Sequence, residues 1–255
     1  MSLGLVFGIS LAAVIAYMGI WFGFASYVKR LDVVDTAWGL GFVYLALIIF
    51  YGQAGHTGVQ LLALWLVTLW GLRLATHITL RNINRSEDER YAALRRKWGK
   101  HVANKAFINI YLLQALLILL VSAPVLAIES TLRSGWTPLV KIGFVVWLLG
   151  LVVESLADFQ LRRFLKSKHG GVMQSGLWRY SRHPNYFGEI ITWIGAGLVA
   201  CGLDRWWGLV GPAVITFLIV KVSGLPPLEK HFAKDKAYQD YAQKTSVLIP
   251  WFKKS

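Results

Sequence analysis

The chain has 255 residues, 56% of them hydrophobic and 16% charged, with a formal net charge of +14. An ordinary soluble domain is about a quarter charged, so this composition excludes one and indicates a polytopic membrane protein. Lys and Arg collect on the cytoplasmic loops of such proteins, so the basic balance calls for no nucleic-acid partner; the single Cys201 rules out an intrachain disulfide.

Apolar runs approaching the roughly 20 residues needed to cross a bilayer predict an all-α chain. About seven spans are expected, in one integral membrane domain covering residues 1–255. The first, about Leu3 to Tyr27, follows no basic leader and is too long for a signal-peptide core, so it reads as a retained span. The second runs from about Val33 to Tyr51 with Asp35 near its start, and the third from about Val59 to Leu80 with Arg73 inside it. A polar stretch, Arg81 to Lys105, precedes the fourth span at about Phe107 to Ile128. The fifth lies near Leu139 to Leu161, the sixth starts at Pro184 and ends near Leu203, and the seventh covers about Trp206 to Ser223. Pro226 and Pro227 should then break the chain before a polar tail. The loops after spans one, three and five, together with the tail, hold almost every loop Lys and Arg, including Lys168, Lys253 and Lys254. The opposite loops hold Arg133 and Arg205. The N-terminus is therefore expected outside and the C-terminus in the cytoplasm.

Helical spacing sorts the polar residues inside the spans into stripes. Arg73, His77 and Arg81 recur at every fourth position, with Trp70 one turn deeper, and Glu154, Asp158 and Arg162 share that spacing. Asn185, Glu189 and Thr192 follow the start of the sixth span. Charged and polar groups in hydrocarbon are costly and usually functional, so the three stripes are expected to wall one cytosol-facing pocket for a large polar cofactor. The bland alternative is pairing of Arg73 with Glu154 or Glu189 to hold helices together. The richest stretch is GLWRYSRHPNYFGE, Gly176 to Glu189. Pro184 suits a helix start, and unpaired N–H groups there, with Arg179 and Arg182 upstream, make an anion site. His183 is explained by that helix start, and the six His show no metal-ligand spacing, so no metal is expected. In LDVVDTAWG, Asp32 is placed to cap the second span; Asp35, one turn deeper with Trp38 on the same side, is the carboxyl suited to proton donation.

These segments resemble the steroid 5α-reductase family, in particular its bacterial branch. The resemblance rests on DVVDTAWG, WGLRLATHITLRN with EDERYAALRRKWG, ESLADFQLRRF, GLWRYSRHPNYFGE and AYQDYAQKTSVLIPWF. The C-terminal part, about 139–255, is also similar to isoprenylcysteine carboxyl methyltransferases. The reductase resemblance implies a seven-helix membrane enzyme, here of the bacterial inner membrane, that uses NADPH to reduce a carbon–carbon double bond conjugated to a carbonyl. The substrate would be a hydrophobic, steroid- or isoprenoid-like molecule taken from among the membrane lipids. It implies that Asp158, Asn185 and Glu189 hold the nicotinamide and ribose and that Arg73 contacts phosphate, where Arg90 and the start of the sixth span are expected to join it. Arg162, Arg179, Tyr180, Arg182, His183, Tyr186 and Tyr241 would complete the cofactor site, most of it within 139–255. Asp35 and Tyr91 are the candidate catalytic acids, and Trp38, Trp70 and His77 the candidate substrate contacts. Glu154 stands where the steroid enzymes place asparagine, and His77 where they place tyrosine. The rival expectations are an S-adenosylmethionine-dependent lipid or prenyl methyltransferase and a non-catalytic lipid or sterol binder.

Overall fold

The computed structural model describes residues 3–83, 85–131, 133–167 and 170–252. Lys168, Lys253 and Lys254, counted above among the basic loop residues, lie outside the described residues. Helices dominate throughout, and among the described residues the one β contact is an isolated parallel bridge between Ser181 and Ser246. The chain divides into two compact units at Trp136/Thr137.

The first unit opens with α1 (Leu3–Val28), α2 (Val33–Tyr51) and α3 (Gly58–Asn82). Thr57 and Gln60 form a reciprocal capping box at the start of α3, satisfying N–H groups that a helix start leaves unpaired. Where α2 meets α3, a Cβ on Gly39 would lie 2.7 Å from the Gly71 carbonyl oxygen. The two backbones thus touch through glycine, the contact that packs helices in lipid where apolar burial gives no drive. After α3 come α4 (Glu89–Trp98), α5 (Val102–Ala106), a π-helical turn (Phe107–Leu112), α6 (Leu113–Val121) and α7 (Ala123–Glu129). The second half of the stretch expected to be a polar linker is therefore helix, and it runs into the fourth span as one helical segment, Glu89–Val121.

Asp32 behaves differently from expectation. It stands at the N-cap position of α2, but its carboxylate makes no capping bond. Instead it accepts from Arg30 Nε at 3.0 Å, Arg30 Nη2 at 2.8 Å and the Asp88 N–H at 3.1 Å. Nearby, Glu87 accepts from the Leu31 N–H and from Arg95. A charged partner with two parallel donors outcompetes a single backbone N–H, so the carboxylate ties the α1–α2 turn to the segment before α4.

The second unit contains α8 (Pro138–Lys166), α9 (Pro184–Cys201), α10 (Val210–Phe217) with a π-helical extension (Leu218–Val222), α11 (Leu225–Phe232) and α12 (Lys236–Lys244). The chain breaks at Ser223 and Gly224, as expected, and Pro226 and Pro227 sit in the first turn of a further helix, α11, where a missing N–H costs nothing. The antiparallel pair α8/α9 is the core of this unit. A Cβ on Gly143 would lie 2.6 Å from the Val199 N, and one on Gly188 would lie 2.5 Å from the Glu154 N. Gly150 likewise abuts Thr192, and Gly195 abuts Trp147. As the α8 number rises by three or four, the α9 number falls by the same amount, so these glycines set one register along the whole contact.

Among the described residues six helical segments are long and apolar enough to cross a membrane: Leu3–Val28, Val33–Tyr51, Gly58–Asn82, Glu89–Val121, Pro138–Lys166 and Trp206–Phe232. This is a polytopic helical membrane protein. Helix α9, expected as the sixth of seven spans, is not among them, because Asn185 and Glu189 interrupt its first two turns.

Candidate active site

The α8/α9 register determines what faces what in the second unit. One turn beyond the Glu154–Gly188 contact, it brings Asp158 opposite the first turn of α9. Asn185 Nδ2 there donates to Asp158 Oδ1 at 3.2 Å. The other amide atom, Asn185 Oδ1, is buried and has no hydrogen-bond partner among the described residues. An orphaned buried acceptor costs about 1–3 kcal/mol, and it beckons an N–H donor from a ligand. Glu154 and Asp158 are buried, and Tyr186 and Glu189 are half-buried on the same first turns of α9. Thr192, expected to continue this polar face, instead donates to the Gly188 carbonyl at 2.9 Å and packs on Gly150. It belongs to the helix contact.

The turn before α9 is clamped by the C-terminal tail. Tyr241 donates to the Trp178 and Ser181 carbonyls. The Arg182 N–H donates to the Ser246 carbonyl at 2.8 Å, and the Trp251 N–H to the Tyr180 carbonyl at 2.9 Å. The structure thus gives the Tyr241 hydroxyl two backbone partners and makes it a brace for the turn that carries Arg179 and Tyr180. Arg182 pairs with Glu229 on α11, and His183 Nε2 lies 2.7 Å from the other Glu229 oxygen, to which Tyr238 also donates at 2.7 Å. Burial pushes the His183 pKa below its ordinary value, with Glu229 opposing that shift. His183 also stacks on Tyr186, ring centres 5.7 Å apart. Arg179, Tyr180 and Arg162 are exposed.

In the first unit, α2 and α4 bring the candidate acids together. Tyr91 donates from its hydroxyl to Asp35 Oδ1 at 2.6 Å, a short bond to an ionisable acceptor. Arg90, expected on the cofactor's phosphates, is forked onto Asp88 (Nε to Oδ1, 3.0 Å) and lies 3.8 Å from Asp35 Oδ2. Asp88 also caps α4 by accepting from the Arg90 N–H at 2.9 Å. Those bonds hold the Asp88 carboxyl below its usual range despite its partial burial. Trp38 stands edge-on to Phe42 at 5.0 Å, and Phe42 edge-on to Trp70 at 5.3 Å, so a wall of aromatic rings starts one turn from Asp35. Arg73 and His77, both half-buried, lie on α3 of this unit. Among the described residues no group of His, Cys, Asp or Glu is placed to hold a metal.

The family described as "Protein of unknown function (DUF1295)" matches residues 21–245. The chain belongs to that family. The sequence is also similar to 3-oxo-5-alpha-steroid 4-dehydrogenase 1 of Rattus norvegicus, 31% identical over 113 residues, 43% of this chain and 40% of that protein. The Homo sapiens type 1 protein is 30% identical over 45% of this chain and 42% of its own length. For 3-oxo-5-alpha-steroid 4-dehydrogenase 2 of Homo sapiens the identity is 29%, over 46% and 45%. The match therefore spans less than half of the length of these relatives. The resemblance to the steroid 5α-reductases read from the motifs is shown by these matches.

Two groups in this DUF1295 member escaped the sequence reading. Glu229 gathers Arg182, His183 and Tyr238, yet it stands alone in LPPLEKHF and its partners come from other segments. Asp88 was legible in principle, because an Asp followed by ERYAAL has the form of an N-cap.

Proposed function

We propose that this protein is an NADPH-dependent membrane reductase of a carbon–carbon double bond conjugated to a carbonyl, in a hydrophobic, steroid- or isoprenoid-like substrate. The observation that carries the reading is the Tyr91–Asp35 bond of 2.6 Å, with Trp38 one turn along α2 from Asp35. A reduction of this kind places charge on the carbonyl oxygen, and a positioned O–H donor stabilises that charge as it develops. Tyr91 is that donor once its O–H turns from Asp35 to the substrate oxygen; Asp35, having taken a proton from solvent, then donates to the phenol oxygen and replaces the proton that Tyr91 gives up. Methyl transfer has no such need of a hydroxyl held on a carboxylate.

Asp158 and Asn185 fit a nicotinamide carboxamide, since the unpartnered Asn185 Oδ1 accepts an amide N–H. Bound NADPH supplies the hydride, which goes to the β-carbon of the enone. Glu189 and Tyr186 complete the nicotinamide and ribose contacts, and Arg162 and Arg179 serve the phosphates. Glu229, Arg182, His183 and Tyr241 keep the turn before α9 in shape. Trp38, Trp70 and His77 contact the substrate, which is drawn from the bilayer. The C-terminal side faces the cytosol, where the cofactor is met, and the membrane is the bacterial inner membrane.

Mass spectrometry of small molecules that copurify with the protein in mild detergent tests the reading. NADP(H), together with consumption of NADPH when a 3-oxo-4-ene steroid is added, is the expected result. S-adenosyl compounds would make it a methyltransferase, and lipid alone a binder.

A further inference from the structure

The second unit carries an apolar patch that its own fold does not explain. Tyr180, Ile249, Trp251 and Phe252 are 38%, 63%, 69% and 77% exposed. They are not exposed through looseness. Three hydrogen bonds pin the backbone: Arg182 N–H to the Ser246 carbonyl, Ser181 hydroxyl to the Leu248 carbonyl at 2.7 Å, and Trp251 N–H to the Tyr180 carbonyl. The rings support one another, Phe252 edge-on to Tyr180 at 6.3 Å and angled to Trp251 at 6.4 Å. A fixed backbone with its largest apolar groups turned outward requires something apolar to meet them.

Helix α8 supplies the depth at which the patch sits. One side of α8 is an exposed apolar stripe, Ile142, Val145, Leu149, Val152, Leu156 and Phe159. The next turn is basic, with Arg162, Arg163 and Lys166 all exposed. Hydrocarbon therefore gives way to headgroups between Phe159 and Arg162. The turn holding Tyr180 is bonded at that same level, by Trp178 Nε1 to the Ala157 carbonyl at 3.1 Å and the Leu177 N–H to Gln160 Oε1 at 3.0 Å. Exposed Arg179 adjoins Tyr180, and Lys253 and Lys254 follow Phe252 in sequence. Aromatic rings at the boundary with a basic fringe match an anionic lipid surface.

We propose that Tyr180, Ile249, Trp251 and Phe252 form an interfacial anchor that beds in the anionic headgroup layer of the membrane the chain crosses. The anchor holds the tail, and through it the turn before α9, at a set depth. It stands independently of the activity proposed above.

The test uses the full chain in nanodiscs, with a fluorophore on Phe252→Cys in a Cys201→Ser background and, separately, on Ile249→Cys. Both positions should lose more than half of their emission when the lipids are brominated near the headgroup. Quenching by aqueous iodide should be weak, and weaker still in phosphatidylglycerol than in phosphatidylcholine. Adding NADPH should change neither signal. Iodide quenching as strong as that of the dye in buffer, indifference to brominated lipid, or shielding that develops only with NADPH would each overturn the anchor; the last would assign the patch to a ligand instead.

Discussion

Replacing Gly188 by alanine probes the register on which the second unit's site depends. The added Cβ would lie 2.5 Å from the Glu154 N and 2.8 Å from its Cα. Ordinary van der Waals contact needs about 3.4 Å or more, so α8 and α9 must separate by roughly 1 Å, because the obstacle is backbone and cannot rotate away. Overpacking of this kind costs about 1–3 kcal/mol, a fall of several degrees in melting temperature. The Asn185–Asp158 bond, already 3.2 Å long, would stretch past hydrogen-bonding distance. With the Asn185 amide no longer held, its Oδ1 moves off the carboxamide that the proposed function gives it, and losing that one ligand bond at about 1–1.5 kcal/mol would weaken NADPH binding about tenfold. Thermal unfolding in detergent and an NADPH binding titration measure the two effects. The control is Gly8→Ala, since nothing lies within 4 Å of a Cβ there. Wild-type stability and affinity in Gly188→Ala, or equal losses in Gly8→Ala, would refute the glycine-set register.

Tyr91→Phe should lower the turnover of an enone about 100-fold or more while leaving NADPH affinity unchanged, measured by steady-state kinetics and binding side by side. Asn185→Ala should weaken NADPH binding about tenfold and leave the melting temperature of the protein without cofactor nearly unchanged; a collapse of folding would make this polar face structural. Glu229→Ala leaves Arg182, His183 and Tyr238 without their shared acceptor. It should destabilise by about 2–3 kcal/mol, below the range for a fully buried pair because Glu229 stays 27% exposed; Glu229→Gln should cost less. In the first unit Glu129 is buried, holds one bond from Gln53 at 2.6 Å, and has its pKa pushed up to about 8 by burial. The folded state then keeps a proton that the unfolded state releases above its ordinary carboxyl pKa, so stability falls as pH rises, by at most about 1.4 kcal/mol per pH unit, and levels off above pH 8. Thermal melts between pH 5 and pH 9 should show that slope in the wild type and lose it in Glu129→Gln.

Length of apolar runs and the spacing of polar residues determined a great deal by themselves. The second span was legible at about Val33 to Tyr51, where α2 runs, because hydrocarbon forces each crossing segment to satisfy its own backbone as a helix. Asp35, Asp158 and Asn185 stood out for a related reason: a polar side chain in an apolar run conflicts with its surroundings and usually has a task. The family resemblance came from the same residues. What no local pattern carries is the partner of a group whose bonds come from distant segments. Asp32 looked like a cap, and only the fold brings Arg30 and Asp88 to its carboxylate. Arg182 looked like part of an anion site and His183 like a helix-start residue, and only the return of α11 brings Glu229 to both. Thr192 lay on the expected polar face, but the close approach of Gly150 turned it into a helix contact. Periodicity reports which face of a helix a residue occupies. Which of several competing partners that face meets is decided by how closely two backbones can approach, and here glycine at Gly143, Gly150, Gly188 and Gly195 makes that decision.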